Sequence, residues 1–538
     1  MYDYVIVGGG SAGCVLAARL SEDRDVRVLL LEAGKADDRA EIHIPAAFPR
    51  LFQSEADWNY HTVPQPDAAN RPLYWPRGKV LGGSSSINAM IYIRGHHGDY
   101  DRWARDGCEG WGYADVLPVF KRSEDNARGA DPYHGTGGPM RVEDARDPSP
   151  ISAAFVEAST QAGHPENADF NGAEQAGAGL YQLTQRGGRR VSTATAFLRP
   201  ARRRPNLTVW TGAHATRVVT EAGRATAVEF VRDGRTERVH AAREILLCGG
   251  AINSPQLLML SGIGPSDHLG ALGIEVVADR PEVGENLQDH LIVGVRYRLR
   301  TSTSLLSAES PLSVARYLTT RRGMLASNIA EAGLFATTRA GAAIPDVQFH
   351  VAPALFEAHG LTPPTEHGFS LGPTLVGTES RGRLRLGAAD PFAAPEIDPA
   401  ALTEAADLDT LVAGVEMARE IAHQPAFDPF RAEEIDPGAA STSRAGLEQY
   451  VRETCETLYH PVGTCRMGAD AASVVDLDLR VRGVDGLRVV DASVMPTIPN
   501  GNTAAPTVMI AERAADLLRG AASGTTSRAA DSAPEVVA

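Results

Sequence analysis

The chain has 538 residues, 43% of them hydrophobic and 22% charged, a balance that excludes a fibrous or disordered protein and supplies core for roughly two to four domains. Its 52 basic side chains against 67 acidic ones leave a net charge of −15, which opposes nucleic acid and anionic membranes as partners. Five cysteines, Cys14, Cys108, Cys248, Cys455 and Cys465, show neither metal-site spacing nor the density of a disulfide scaffold, so a reducing, cytoplasmic setting is expected. No apolar run reaches the about 18 residues that a membrane span needs. The first strand pattern opens at Tyr2, which leaves no space for a signal or transit peptide.

In chain order, YDYVIV reads as a buried strand, GGGSAG as a turn, CVLAARL as a helix by its apolar spacing, and VRVLLLE as a second strand. Gly8, Gly10 and Gly13 form G-x-G-x-x-G, and Glu32 closes the second strand. Such glycines let a pyrophosphate approach the backbone at the positive end of a helix, while the carboxylate meets a ribose hydroxyl pair. Dinucleotide binding is predicted; NAD and FAD stay unseparated, because both carry an ADP half.

GKVLGGSSSINAM (residues 78–90) sets glycines and serines among the apolar Val80, Leu81, Ile87 and Met90, which predicts a loop pressed against a planar or phosphate-bearing ligand. EILLCGGAINSPQLLMLSGIG (residues 244–264) is a second strand, glycine and helix unit, with Gly249 and Gly250 after the strand and Gly262 and Gly264 ending the helix. The dinucleotide domain is therefore expected to be built from distant segments: 1–150, 205–293 and 456–520. Residues 151–204 and 294–455 are expected to form a second, substrate-binding domain. There VGVRYRLR and PDVQFHV alternate like half-buried strands and LDTLVAGVEMAREIAHQ is helical. LRVVDASVMP (residues 487–496) returns to strand character, and TIPNGNTAAPTVMIAERAADLL is a loop entering a helix that ends near Gly520. Residues 521–538, small, polar and patternless, are expected to be a disordered tail.

Chemistry concentrates in LYHPVGTCRMG (residues 458–468). Proline fixes its own φ and pushes the preceding residue into extended backbone, which holds the imidazole of His460 still. A packed histidine in a turn is the competing reading. In PDVQFHV, His350 and Phe349 must take opposite faces of a strand, and alternation leaves open which one meets a cavity. Asp289 and His290 in ENLQDH pair an acid with an imidazole. His96 and His97 lack a third ligand at metal spacing and read as surface residues, so no metal site is expected; Cys465 reads as packing.

Together these segments resemble one family, the glucose-methanol-choline (GMC) flavoprotein oxidoreductases, from about Tyr2 to Gly520. GGGSAG with EAG at residues 32–34 is similar to its ADP-binding fingerprint, GKVLGGSSSIN to its first signature and GAINSPQLLMLSGIG to its second. YHPVGTCRMG, and DASVMP followed by GNTAAPT, resemble its C-terminal active-site segments. The resemblance implies an α/β (α+β overall) fold, with a glutathione-reductase-like, FAD-binding Rossmann domain of discontinuous segments and a β-sheet-based substrate domain. It implies cofactor contacts from the first turn (Gly8, Gly10, Ser11, Gly13, Glu32, Ala33) and from the serine-rich loop (Val80, Gly82, Gly83, Ser84, Asn88). Further contacts would come from Ala215, Gly250, Asp491, Ala492, Asn502 and Thr503. Members with covalent flavin carry histidine where this chain has Ile87, so noncovalent FAD is implied. The resemblance puts His460 and Asn502 in the catalytic pair and Asp289 and His290 in a structural connection.

The activity so implied is oxidation of a primary alcohol to the aldehyde, with His460 as base, Asn502 orienting the alcohol, FAD as hydride acceptor, and dioxygen or a quinone-like carrier as final oxidant. Choline-oxidising relatives enclose a quaternary ammonium with aromatic rings and a carboxylate. Here Glu331 is preceded by Ile329 and Ala330 where a ring would be expected, which favours a neutral alcohol, although Phe335 or Phe356 remain available as rings. A lyase or decarboxylase on the same scaffold and an NAD-dependent dehydrogenase compete. Retention of His460 and Asn502 opposes the first, and the 250–264 signature opposes the second.

Overall fold

A computed structural model describes residues 1–339, 341–438 and 441–530, with side chains up to residue 520. Two sheets organise them. The first has a parallel core in which Tyr2–Val7 pairs with Val28–Leu31 on one side and Arg235–Leu247 on the other, Val5 lying opposite Leu29 and Ile245. Leu207–Trp210 extends one edge and Leu487–Val489 the other. Such strands are covered on both faces, which is why they read as unbroken apolar runs. The helices Ser11–Leu20 and Ala504–Ala530 pack together on this sheet's core.

The second sheet is antiparallel, in the order Arg431–Asp436, Val295–Leu299, Gly368–Leu375, Val347–Ala352, Ala332–Ala336 and Gly177–Leu180. Phe349 faces the helices Pro150–Gln161 and Ala405–Ala422, packing among Phe155, Leu411 and Val415. Full burial of such a ring contributes about 1.5–3 kcal/mol. PDVQFHV was expected to be half-buried. All six residues of Val347–Ala352 are buried, because the face opposite the helices looks into a cavity instead of solvent.

Leu291–Ile292 pairs with Glu456–Thr457, Leu291 opposite Thr457. This short pairing clamps ENLQDH against LYHP. Among the smaller differences, the helix Gly250–Leu260 stops before Gly262, and Gly264 belongs to a two-residue strand. The last helix, Ala504–Ala530, runs through Gly520 into the segment expected to be disordered; residues 521–530 hold no proline, the strongest helix breaker. The rest of the expected tail, 531–538, lies outside the described residues. Among the described residues no helix is long and apolar enough to cross a membrane.

Candidate functional site

A cavity of about 510 Å³ is walled by residues of both sheets. At the first sheet its wall is the glycine turn. A Cβ on Gly8, at φ +103°, would fall 2.5 Å from the Cys248 carbonyl oxygen, and one on Gly13 would fall 1.9 Å from the Gly8 carbonyl oxygen. Only glycine lets these backbones close. No side chain caps the helix that starts after Gly10, so its first amides stay available to an anionic ligand. Glu32 is buried beside them, Oε2 accepting from the Gly9 N–H and Oε1 from the Gly34 N–H, each at 2.7 Å. Desolvation pushes its carboxyl up to about 7 against those two donors.

The serine-rich loop closes on this turn through the Gly82 N–H, which donates to the Gly9 carbonyl at 2.7 Å. Gly83, Ser84, Ile87 and Asn88 line the cavity, as do Gly8, Gly10, Ser11, Glu32, Ala33 and Ala215. Asp491 and Gly250 line it together: Asp491 Oδ2 accepts from the Gly250 N–H at 2.8 Å and from Ser254 Oγ at 2.6 Å. Ala492, Asn502 and Thr503 complete that side. Three expected contacts are not in the wall. Gly13 serves helix-to-turn packing, Gly82 packs against Ser86, and the branched apolar side chain of Val80 is buried with Ile42, Phe48 and Ile87.

His460 meets the cavity with its Nε2 3.3 Å from Asn502 Nδ2. Its backbone N–H donates to Asp289 Oδ1 at 2.7 Å, and its Nδ1 lies 3.0 Å from His290 Nδ1. Asp289 and His290, assigned above to a structural connection, therefore touch the candidate base directly, because the Leu291–Ile292 pairing places them there. Desolvation, then His290, His350 and Arg77, holds His460 well below the ordinary histidine range. Desolvation pushes His290 and His350 down to about 3 and Asp289 up to about 7. At neutral pH the three imidazoles are uncharged.

His350 is the strand residue that faces the cavity. Its Nδ1 bonds Thr374 Oγ1 at 3.0 Å, while its Nε2 is buried without a partner. Ile329, Ala330, Ala352, Phe52 and Phe356 add apolar wall. Glu331 is turned away, accepting from the Ser149 N–H, Ser152 Oγ and Ser327 Oγ. Phe335 packs with Phe170 and Tyr181 outside the cavity. Cys465 is buried. His96 is no idle surface residue: its Nδ1 accepts from the Gly98 N–H and caps the helix His97–Arg105, and the His97 ring stacks on Tyr113.

Sequence reasoning missed the contact of Asp289 and His290 with His460, and it passed over Gln348. The signal for Gln348 was available, since it sits two residues before His350 and so shares its face.

The donor set fits a flavin dinucleotide: free helix-start amides, a buried carboxylate with backbone-held oxygens, and one cavity joining both to a histidine. GMC oxidoreductase family models match residues 2–292 and 378–511. The chain is 45% identical to an alcohol dehydrogenase [acceptor] of Pseudomonas putida, over 96% of both chains. It is 44% identical to the human mitochondrial choline dehydrogenase, over 96% of this chain and 90% of that protein. A formate oxidase of Aspergillus oryzae, studied for modification of its FAD, superposes with a TM-score of 0.91 at 28% identity, over 96% of this chain and 98% of that one. The chain belongs to the GMC oxidoreductase family and is an FAD-dependent enzyme acting on CH–OH donors.

Proposed function

We propose that the chain oxidises a neutral primary alcohol to its aldehyde, with His460 as the base. The observation that carries this is an uncharged imidazole whose Nε2 meets both the cavity and Asn502. Bound FAD supplies the acceptor for the hydride and, by later reoxidation with dioxygen or a quinone-like carrier, the turnover. His460 Nε2 takes the hydroxyl proton as the C–O bond becomes C=O, and Asn502 Nδ2, a donor, stabilises charge developing on the oxygen. His350 Nε2, unpartnered in the wall, is a second group within the same space for the alcohol oxygen.

The helix-start amides after Gly10 would hold the diphosphate, and Glu32 the ribose. Ile87 lines the cavity where covalent attachment would need a nucleophile, which supports noncovalent FAD; acid precipitation is expected to leave the yellow colour in the supernatant, and colour in the pellet would contradict it. The neutral class rests on Glu331 being spent on three donors. Two of the carboxylates that do line the cavity have cationic neighbours, Glu357 Oε2 lying 3.7 Å from Arg296 Nη1, and Arg296 and Arg71 acting on Glu456. The name of the Pseudomonas relative points the same way.

Anaerobic mixing with aliphatic primary alcohols, benzyl alcohol, choline and sugars tests the reading. Bleaching of the flavin by a neutral primary alcohol is expected, and the rate of recolouring in air separates oxidase from dehydrogenase. Turnover without bleaching would replace this reading with a lyase.

A further inference from the structure

The strand pair formed by Ala332–Ala336 and Val347–Ala352 has a gap. Ala332 pairs with Val351 and Phe335 with Gln348, but the two positions between them form no pair. The phenol of Tyr181 enters this gap and donates to the Phe349 carbonyl oxygen at 2.6 Å. Gly333 makes the space, since a Cβ there would lie 2.0 Å from the Tyr181 hydroxyl oxygen and 2.7 Å from that carbonyl oxygen.

A backbone carbonyl only accepts, so the one hydroxyl proton of Tyr181 is committed and its oxygen must accept from elsewhere. The donor is Gln348 Nε2, at 2.9 Å. The same amide nitrogen reaches Asn502 Oδ1 at 3.2 Å, so the Asn502 carboxamide turns its Nδ2 toward His460 Nε2, 3.3 Å away. Each link has a single allowed direction because the first partner is a carbonyl. At the end of the chain His460 Nε2 meets a donor and must be bare. Its proton then sits on Nδ1, facing His290 Nδ1 at 3.0 Å.

We propose that Tyr181 and Gln348 are positioning residues that set the tautomer of His460, acting through the carboxamide of Asn502. Both side chains are buried. The inference rests on the reading of His460 as base; its direct readout needs no substrate, so the two can fail separately.

Removing the Gln348 donors frees the Asn502 carboxamide to turn its Oδ1 toward His460. An acceptor there favours a proton on Nε2, both in the neutral tautomer and in the imidazolium, so the titration midpoint of His460 rises. The other groups facing His460 are His290, His350 and Arg77, with Asp289 on its backbone N–H, and none of them is altered by the change.

The test is nitrogen-15 NMR of histidine-labelled holoenzyme, with the His460 signals identified by their loss in His460→Gln. Wild type is expected to show one neutral tautomer, protonated at Nδ1. Gln348→Met keeps the side-chain length without donors. It is expected to raise the Nε2-protonated tautomer at least about tenfold and to move the titration midpoint upward. A single Nδ1-protonated tautomer with an unmoved midpoint in Gln348→Met would overturn the proposal. Should that variant not fold, Tyr181→Phe removes only the hydroxyl that orients Gln348. It is expected to give the same shifts to a smaller extent, and identity with wild type in both readouts would overturn the proposal equally.

Discussion

Two histidines sit deep in this protein and are held in opposite charge states. His134 is buried between carboxylates, Nδ1 3.1 Å from both oxygens of Glu124 and Nε2 2.9 Å from Asp169 Oδ2. Desolvation works against its charge, but Asp169 and Glu124 outweigh that and raise it to about 9. His460 is desolvated too, yet its neighbours are two imidazoles and the guanidinium of Arg77, and it falls. Burial lowers both; what separates them is the pair of carboxylates hydrogen-bonded to the ring of His134, which the ring of His460 lacks. One is a cation that ties Glu124 and Asp169 into the fold, and the other is a free base.

The largest expected break in this contrast is in rate. His460→Ala should keep its FAD and lose anaerobic flavin reduction by at least about a thousandfold, counting base and positioning effects together. A rate within tenfold of wild type removes His460 from the mechanism. His134→Gln should do the reverse, keeping the reduction rate per bound flavin while losing about 1.5–3 kcal/mol of stability, because Glu124 loses a charged hydrogen-bond donor but keeps Arg94 at 2.7 Å; thermal unfolding reads this directly.

The two sites should also respond oppositely to pH. His134, raised to about 9 when folded against an ordinary value of about 6.5, gives its full stabilisation below pH ~6.5 and loses it as pH rises through about 9. His290 and His350, pushed down to about 3, work the other way: the unfolded chain takes up their protons first, so stability falls as pH drops from ~6.5 toward 3. Denaturant unfolding of wild type and His134→Gln across pH should converge at alkaline pH, and parallel curves would refute the charge assigned to His134. The smallest effect is in the acid limb of flavin reduction. With His460 held well below its ordinary value, the imidazole should add no step to the rate near pH ~6.5; a midpoint there that persists in Asp289→Asn, which removes the neighbouring carboxyl raised to about 7, would mean an unshifted imidazole.

The parts of the site that were legible in the sequence are contiguous. Gly8, Gly10, Gly13 and Glu32 lie within one strand, turn, helix and strand, and a Cβ that would fall 1.9 Å from the Gly8 carbonyl oxygen leaves Gly13 no other identity. His460 announced itself through the proline after it. What was not legible comes from pairings between distant segments. Nothing in ENLQDH names the histidine that His290 meets 170 residues away. Strand alternation separated Phe349 from His350, but only the helices Pro150–Gln161 and Ala405–Ala422 decide which face is covered. Val80 lies inside the same ligand-loop motif, and its side chain packs with Ile42, Phe48 and Ile87.

The edge strand Leu487–Val489 bears on how the protein is made. Ribosomes deliver Tyr2–Val7 and Arg235–Leu247 early, yet the partner of Ile245, Leu246 and Leu247 is among the last tenth of the chain. Until it arrives, an apolar row with open backbone groups waits in the growing polypeptide, the kind of edge on which nascent chains stick to one another. Truncation or stalling before residue 487 would therefore yield aggregates in place of a shortened enzyme, and holdase chaperones would be needed most during the final stretch of synthesis.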